Sequence, residues 1–386
     1  IDQNYEEWIR SHQPFHWFIE FPEVHFSGGF DAVIGNPPYV QKSKVTSYTF
    51  SGFKTDRAPD IFAPVMERAV KLTKKDGRLS MIVPLKLSWG SKFADIREIL
   101  SANFQNIWVS TYGIIPARLF PGLEIRNTIF LGSHSEGNAG IYASVYNKWN
   151  AEFRPHLFNT LKYGKYIDRP TDRWPKVGHE SLMPFAFQSG QTLFYSCRTS
   201  VTSHRVGFKE ISGYWLSVFR EDPPALDGKR KPAVQTKVGS LYFSSEEDAF
   251  AAMAVMSGRI MFMWWVLHGD EFDSPASTFT SFPLCLDQIA LDDRKALSKI
   301  GKKLHNAIMK PGNHLLWTPY AGLWMGNYDM NQLRVITDEA DSVIRKYVHL
   351  DDESTWIDFN VELAHFMKIG RERPGTVRGP HPTRDR

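Results

Sequence analysis

The sequence predicts an α/β protein in which a parallel sheet is followed by a second, mixed α+β domain. Three observations carry this. Apolar strand-like runs alternate with stretches of helical periodicity over the first third of the chain. Near residue 150 the pattern changes to short aromatic stretches, turns and scattered basic residues. The length of 386 residues suits two or three domains.

The elements follow in order. FDAVIGN (30–36) is a short apolar run ending in Asn-Pro-Pro, a buried strand stopped by prolines that cannot continue a ladder. A loop spans 37–58. Between Asp60 and Lys74 the residues Ile61, Phe62, Val65, Met66, Ala69, Val70 and Leu72 recur at helical spacing, and Asp76-Gly77 closes that helix in a turn. LSMIVPL (79–85) is the next buried strand, and 91–104 a second helix with Ser91 as its N-cap. Strand, helix, strand, helix implies parallel pairing. IWVSTYG (107–113) and IRNTIFLG (125–132) read as two further strands at the far edge of the sheet. Beyond 150, residues 246–266, 287–309 and 338–348 read as helices. The domains expected are 1–150, 151–335, a helical segment 336–370, and a basic, disordered tail 371–386 without periodicity.

Composition removes several classes. With 46 Lys+Arg against 42 Asp+Glu the net charge is +4, which permits nucleic acid as a partner without demanding it. Two cysteines, Cys197 and Cys285, exclude a disulfide framework or a Cys-rich zinc module and suggest a reducing, cytoplasmic setting. The longest apolar run, IMFMWWVL, has eight residues and reads as core, because a bilayer needs about 20. His16, His25 and His179 lack metal-ligand spacing and read as structural. The chain opens IDQNYEEW with no initiating Met and no signal-peptide pattern, so the expectation is a piece of something longer.

One motif carries chemistry. GFDAVIGNPPYV (29–40) sets Asn36-Pro37-Pro38-Tyr39 directly after a strand, where ligands bind in open α/β sheets. Pro37 fixes its own φ and holds Asn36 extended, while Pro38 restricts Pro37. The Asn36 side-chain oxygen and the Pro37 carbonyl are thereby preset as two convergent acceptors. Such a pair suits an exocyclic amine with two N–H donors, such as that of adenine. Tyr39 offers a face on which a flipped base can stack, a contact of about 1 to 3 kcal/mol. Gly35 permits close approach to the backbone. The bland reading of the motif is a strand-terminating turn.

The segment resembles motif IV of the amino-methyltransferases that use S-adenosylmethionine, specifically the adenine-N6 DNA methyltransferases. FHWFIEFPEVHFSGGFDAVIGNPPYV (15–40) is similar to large restriction-modification and phage-defence methylases of the type IIG and PglX-like kind. DIFAPVMERAVKL (60–72), GRLSMIVP (77–84) and RLFPGLEIRNTIFLG (118–132) resemble the segments that follow motif IV there. The resemblance implies the C-terminal part of a Rossmann-like methyltransferase sheet with a target-recognition domain behind it. It also implies S-adenosylmethionine as cofactor, near Asn36 and Pro37, and double-stranded DNA as partner. Asp60, read from the sequence as a helix cap, falls where the family has motif V, near the cofactor.

This sequence departs from the family in having no G-x-G anywhere. The cofactor glycines and first strands would lie upstream of Asn36, so the Ala32–Gly35 strand is expected to have an unpaired edge. The missing part, or a partner chain, would supply the S-adenosylmethionine site.

Candidate DNA contacts are Lys42 and Lys44, just past Tyr39, and the clusters Arg198, His204, Arg205, Lys209 and Lys229, Arg230, Lys231, Lys237. The bland reading of each is solvated surface. Asp222-Pro223-Pro224 resembles an acidic variant of the catalytic loop, but lacks a preceding strand and reads as a turn. No nuclease constellation stands out. Two other functions compete: a DNA-specificity module that serves a catalytic partner, and an amino-methyltransferase for RNA or protein.

Overall fold

The computed structural model describes residues 3–13, 15–47, 49–134, 139–168, 170, 172–212, 215–270, 272–310, 315–367 and 377–378. It is a mixed α/β structure whose contacts cluster into two units. The first comprises Ile1–Ser110, Asn127–Tyr142 and Tyr166–Arg173, and the second Thr111–Arg126, Ala143–Lys165 and Trp174–Arg386. These units interleave along the chain, and the sequence reading divided it at 1–150, 151–335, 336–370 and 371–386.

The helices α1 (Gln3–His12), α2 (Trp17–Glu20) and α3 (Pro22–Phe26) lead into β1 (Phe30–Gly35). Next come α4 (Phe62–Leu72), β2 (Thr73–Pro84), α5 (Lys86–Trp89), α6 (Ala94–Asn103), β3 (Asn106–Tyr112), β4 (Asn127–Ser133), β5 (Gly140–Asn147) and β6 (Tyr163–Tyr166). The six strands form one sheet in the order β1-β2-β4-β3-β5-β6.

β1 and β2 pair in parallel, as strand–helix–strand alternation predicts. Their register carries a bulge: Phe30 faces Thr73 and Ala32 faces Arg78, so two residues of β1 span five of β2. The strand therefore starts at Thr73, and Asp76-Gly77 lies inside the bulge instead of closing the helix. Leu79, Met81 and Val83 alternate into the core at 4% exposure or less. On α4, Phe62, Ala63, Met66 and Ala69 are buried, with Phe62 stacked on Phe93 at 4.8 Å. Ser91 is not a cap: it lies in a short 3-10 turn, Ser91–Phe93, and α6 begins at Ala94 without a side-chain cap.

Two expectations about the sheet are corrected. β4 runs antiparallel to β2, with Met81 opposite Phe130, and sits between β2 and β3. The far edge belongs to β5 and β6, neither of which was anticipated. Buried Arg97 ties down the return from β2, donating to the carbonyls of Leu87 at 2.7 Å and Gly90 at 3.0 Å. Burial pushes its guanidinium down to about 10.

The second unit contains the helices α7 (Met183–Ala186), α8 (Glu246–Ser257), α9 (Arg259–His268), α10 (Ala276–Thr280), α11 (Leu291–Met309), α12 (Arg334–Ile344) and α13 (Glu353–Met367). Besides most of β5 and β6, it holds the strands β7 (Arg205–Lys209), β8 (Val218–Phe219), β9 (Ala225–Leu226), β10 (Pro232–Ala233), β11 (Val238–Tyr242), β12 (Leu315–Tyr320), β13 (Leu323–Tyr328) and β14 (Val377–Arg378). β7 to β14 form a three-stranded sheet, β11-β7-β8, and a five-stranded sheet, β10-β9-β13-β12-β14.

The apolar run 260–267 is core, as read. The single helix expected over 246–266 is two, bent by 62° at Gly258. No single helix among the described residues is long and apolar enough to cross a membrane. Asp341 on α12 caps α9, accepting from the backbone N–H groups of Arg259 at 2.8 Å and Ile260 at 3.2 Å. Of the tail 371–386, only Val377 and Arg378 lie among the described residues, and these two pair with β12. The remainder of that expectation lies outside them, as do residues 368–370.

α13 is docked through a buried carboxyl. Glu362 Oε1 accepts from the Gly178 N–H at 3.1 Å, while Oε2 has no hydrogen-bond partner among the described residues. Burial, reinforced by Asp358, pushes the acid up from 4.5 to about 8. The folded state therefore favours the protonated form, so the contribution of Glu362 is complete below about pH 4.5 and declines as pH rises through 8. Melting temperature is expected to fall over that window, by the equivalent of on the order of a few kcal/mol, and Glu362→Gln to flatten the fall. Parallel melting curves for the two proteins across the range would contradict the assignment.

Candidate active site

The first unit places Asn36-Pro37-Pro38-Tyr39 immediately after β1, at the carboxyl end of a strand paired in parallel. Asn36 and Pro38 are exposed, Pro37 is buried and Tyr39 is half-buried. A buried Pro37 between an exposed Asn36 and a fixed Tyr39 leaves the loop little freedom.

Tyr39 is anchored by two strands. Its hydroxyl donates to the Ile82 carbonyl of β2 at 3.1 Å and accepts from Asn127 Nδ2 of β4 at 3.2 Å. Burial pushes the phenol up to about 12, although the Asn127 bond opposes the shift. The ring is thus neutral at any physiological pH and held by its polar end, which suits a fixed stacking face better than an acid or base.

The loop is tied to α4 on its other side. Val40 O accepts from Ile61 N at 2.9 Å, and Lys42 N donates to Pro59 O at 2.7 Å. Asp60 is buried and pairs with Lys86 Nζ at 3.0 Å, so it is not the helix cap expected from sequence; the residue before α4, Ile61, makes no side-chain cap. Buried Glu67 accepts from Thr55 N and Oγ1, both at 3.0 Å, and from Lys71 Nζ at 2.9 Å. Those hydrogen bonds outweigh burial and hold its carboxyl below the usual range. Gly35 packs closely on a neighbouring strand: a Cβ there would stand 3.3 Å from Met81 Cε.

Sequence reasoning missed Asn127 and Lys86. Asn127 opens a strand that was read, but nothing local says that its amide reaches residue 39. Lys86 follows Pro84 by two residues and looks like any surface lysine until Asp60 is beside it.

β1 is the edge of the sheet, in line with the unpaired edge expected of the Ala32–Gly35 strand. Ile34 is 84% exposed, and before it Trp8, Ile19 and Phe26 are exposed as well. An apolar parallel edge of this kind is ordinarily covered.

The basic candidates divide by environment. Lys42 is occupied: its ammonium donates to the carbonyls of Thr55 and Asp56, both at 3.2 Å, and burial lowers its affinity for a proton. Lys44 is exposed. Arg198 is exposed, with Nε donating to Ser244 Oγ at 2.7 Å, and His204 is half-buried. Arg205 is paired with Asp222 at 2.6 Å. Lys209 is buried: its ammonium donates to Gln235 Oε1 at 2.8 Å and Thr236 O at 3.1 Å, and burial pushes it down to about 8. Lys229, Lys231 and Lys237 are exposed, and the Arg230 guanidinium lies over the Trp324 ring at 5.0 Å. Among the described residues no group of His, Cys, Asp or Glu could hold a metal ion.

Residues 1–113 match the family model described as Eco57I restriction-modification methylase. A protein of Methanocaldococcus jannaschii, described as a putative type II restriction enzyme and methyltransferase, is 30% identical over 171 residues, 42% of this chain. The chain spans only 14% of that relative's length. Among solved structures, the type IIL restriction-modification enzyme MmeI in complex with DNA aligns over 88% of this chain and 57% of its own, at 10% identity and a TM-score of 0.49. A type I restriction-modification methyltransferase subunit from Streptococcus thermophilus aligns over 32% of this chain and 28% of its own, at 21% identity and a TM-score of 0.25. The stretch that carries Asn36 to Tyr39, residues 1–113, is therefore the part of the chain similar to Eco57I restriction-modification methylases.

Proposed function

We propose that the chain is the target-holding and DNA-binding part of a site-specific DNA adenine-N6 methyltransferase of a restriction-modification or phage-defence system. The observation that carries the reading is the Asn36–Tyr39 loop at the carboxyl end of β1, with Tyr39 pinned by Ile82 and Asn127. The methylase similarity of residues 1–113 supports it.

In this reading a flipped adenine stacks on Tyr39 while its amino group donates to the Asn36 side-chain oxygen and the Pro37 carbonyl. Two acceptors on one nitrogen draw its lone pair out of conjugation with the ring and turn it away from them. Alignment supplies most of the acceleration, and no nucleophilic Ser or Cys takes part. S-adenosylmethionine, when bound, supplies an electrophilic methyl group.

The chain's own residues do not make a complete site for that cofactor. It has no G-x-G turn, and β1 ends the sheet with Ile34 bare. In this proposal a polypeptide outside these residues, on the same or a partner chain, adds strands to β1 and brings the glycine turn. The substrate sets the compartment as the cytoplasm, where the DNA is.

The test is transfer of label from S-adenosylmethionine to mixed duplex DNA, by the chain alone and by the chain joined to its cofactor-binding unit. Label on adenine N6 that requires the joined form supports the proposal. Duplex binding without label from either form would favour the rival reading as a specificity module, and label on RNA or protein instead would overturn the DNA assignment.

A further inference from the structure

Two hairpins of the five-stranded sheet end at the same place. β9 pairs with β13 so that Leu226 faces Trp324, and β12 pairs with β13 so that Tyr320 faces Leu323. The turn leaving Leu226 and the turn entering Leu323 therefore project from one end of the sheet. A Cβ built on Gly228 would stand 3.7 Å from the Gly322 carbonyl, so the two tips adjoin.

The first tip is built around one carboxylate. Asp227 Oδ1 accepts from the backbone N–H groups of Lys229 and Lys231, both at 2.8 Å, and Asp227 N donates to Lys231 O at 2.9 Å. The single negative charge of the turn is thus engaged with the backbone, while Lys229 and Lys231 stand exposed. Arg230, between them, has φ +65° and lies over the Trp324 ring of the second hairpin at 5.0 Å. That second tip turns through Ala321 at φ +50° and Gly322 at φ +79°, and leaves Tyr320 53% exposed.

Non-glycine residues disfavour positive φ, and here one such residue sits in each tip. Backbone bent in this way, braced by an internal carboxylate and a cation–π contact, presents cations and an aromatic ring in a fixed arrangement. A mobile solvated loop needs none of these braces. A two-stranded ribbon fits the major groove of B-form DNA, and lysines at its tip reach the phosphates on either side.

We propose that the adjoining tips at 226–232 and 320–323 form one contact with duplex DNA, in which Lys229 and Lys231 neutralise phosphates and Tyr320 meets the groove. Arg230 stacked on Trp324 acts as the positioning pair that locks the tips together. The inference rests on the DNA-binding reading above and adds Tyr320 and Trp324, which the basic pattern of the sequence did not single out.

The experiment is equilibrium binding of the full chain to a duplex of about 30 base pairs over a range of salt concentrations, a length that covers a typical specific interface. Each phosphate contact contributes about 0.9 to the slope of log K against log salt, so Lys229→Ala with Lys231→Ala is expected to lower it by about 1.8 and to weaken binding about 50-fold near 0.1 M salt. Lys229→Arg with Lys231→Arg should restore the slope, which a merely structural role would not predict. Tyr320→Ala should weaken binding about tenfold with the slope unchanged. Wild-type binding with an unaltered slope in the double alanine variant overturns the hairpin site and leaves the DNA reading standing. Absence of salt-dependent duplex binding by the wild type overturns both.

Discussion

Asn36→Ala, made in the protein joined to its cofactor-binding unit, is expected to reduce adenine methylation by at least about a hundredfold. The comparable loss is that of one preorganised hydrogen-bonding group aimed at charge that develops in a transition state, which typically costs 10²–10³ in rate. Here the group is an acceptor, and the charge develops on the target nitrogen as it attacks. Because the Asn36 side chain is exposed, melting temperature should stay within about 1 °C of wild type, as surface changes usually do. The same exposure predicts that duplex affinity hardly changes, since phosphates and groove supply most of it. Asn36→Asp separates two accounts of the loss. A carboxylate keeps an acceptor oxygen, so partial activity would show that acceptance from the amine matters more than the amide's own N–H donors. Wild-type methylation in Asn36→Ala would sink the assignment of the loop as the target-holding site.

The contrast between Asn36 and Tyr39 shows what local sequence conveys. A strand followed by Asn-Pro-Pro-Tyr is legible, because proline restraint and the apolar run both act within a few residues. Which bonds hold Tyr39 is not legible, because Asn127 lies 88 positions away and becomes a neighbour only when β4 inserts beside β2. The misplacement of β4 has the same origin. The apolar pattern marked 125–132 as a strand, but strand order is decided by pairing across the sheet, which no window of residues contains. The bulge in β2 is a subtler instance. Asp76-Gly77 is a sound turn signal, yet the two residues lie within a strand, where the register of its partner skips over them.

Charge was the least informative signal. Lys42, Arg205 and Lys209 look in sequence like Lys229 and Lys231, yet the first three are committed to Thr55 and Asp56, to Asp222, and to Gln235 with Thr236. A buried lysine pushed down to about 8 differs from an exposed one by its surroundings alone. What separates the groups is whether an acceptor lies within reach after folding. The exposed edge of β1, by contrast, was legible, because the absence of G-x-G from these 386 residues is read from the sequence without any knowledge of pairing.

Gly301→Ala is the substitution expected to damage the second unit most. Gly301 lies inside α11, in a stretch whose periodicity reads as an ordinary amphipathic helix, where glycine merely weakens helicity by about 1 kcal/mol relative to alanine. Propensity alone therefore predicts that the substitution stabilises. The packing predicts the reverse. A Cβ at 301 would fall 1.9 Å from the carbonyl oxygen of Phe250 and 2.6 Å from its carbonyl carbon, both backbone atoms of α8. No rotamer change can clear a clash with backbone, so the two helices must separate. α8 cannot simply retreat, because every residue from Asp248 to Ser257 is already buried. The cost should reach about 3 kcal/mol or more, enough to lower the melting temperature of a unit this size by roughly 6 to 12 °C. Lys302→Ala, on the exposed side of the same turn, should stay within about 0.5 kcal/mol of wild type. Adding Phe250→Ala to Gly301→Ala should bring no recovery, since the obstructing atoms belong to the main chain and remain. A melting temperature for Gly301→Ala at or above wild type would mean that helix propensity outweighs packing there, and that α8 and α11 do not cross as closely as described.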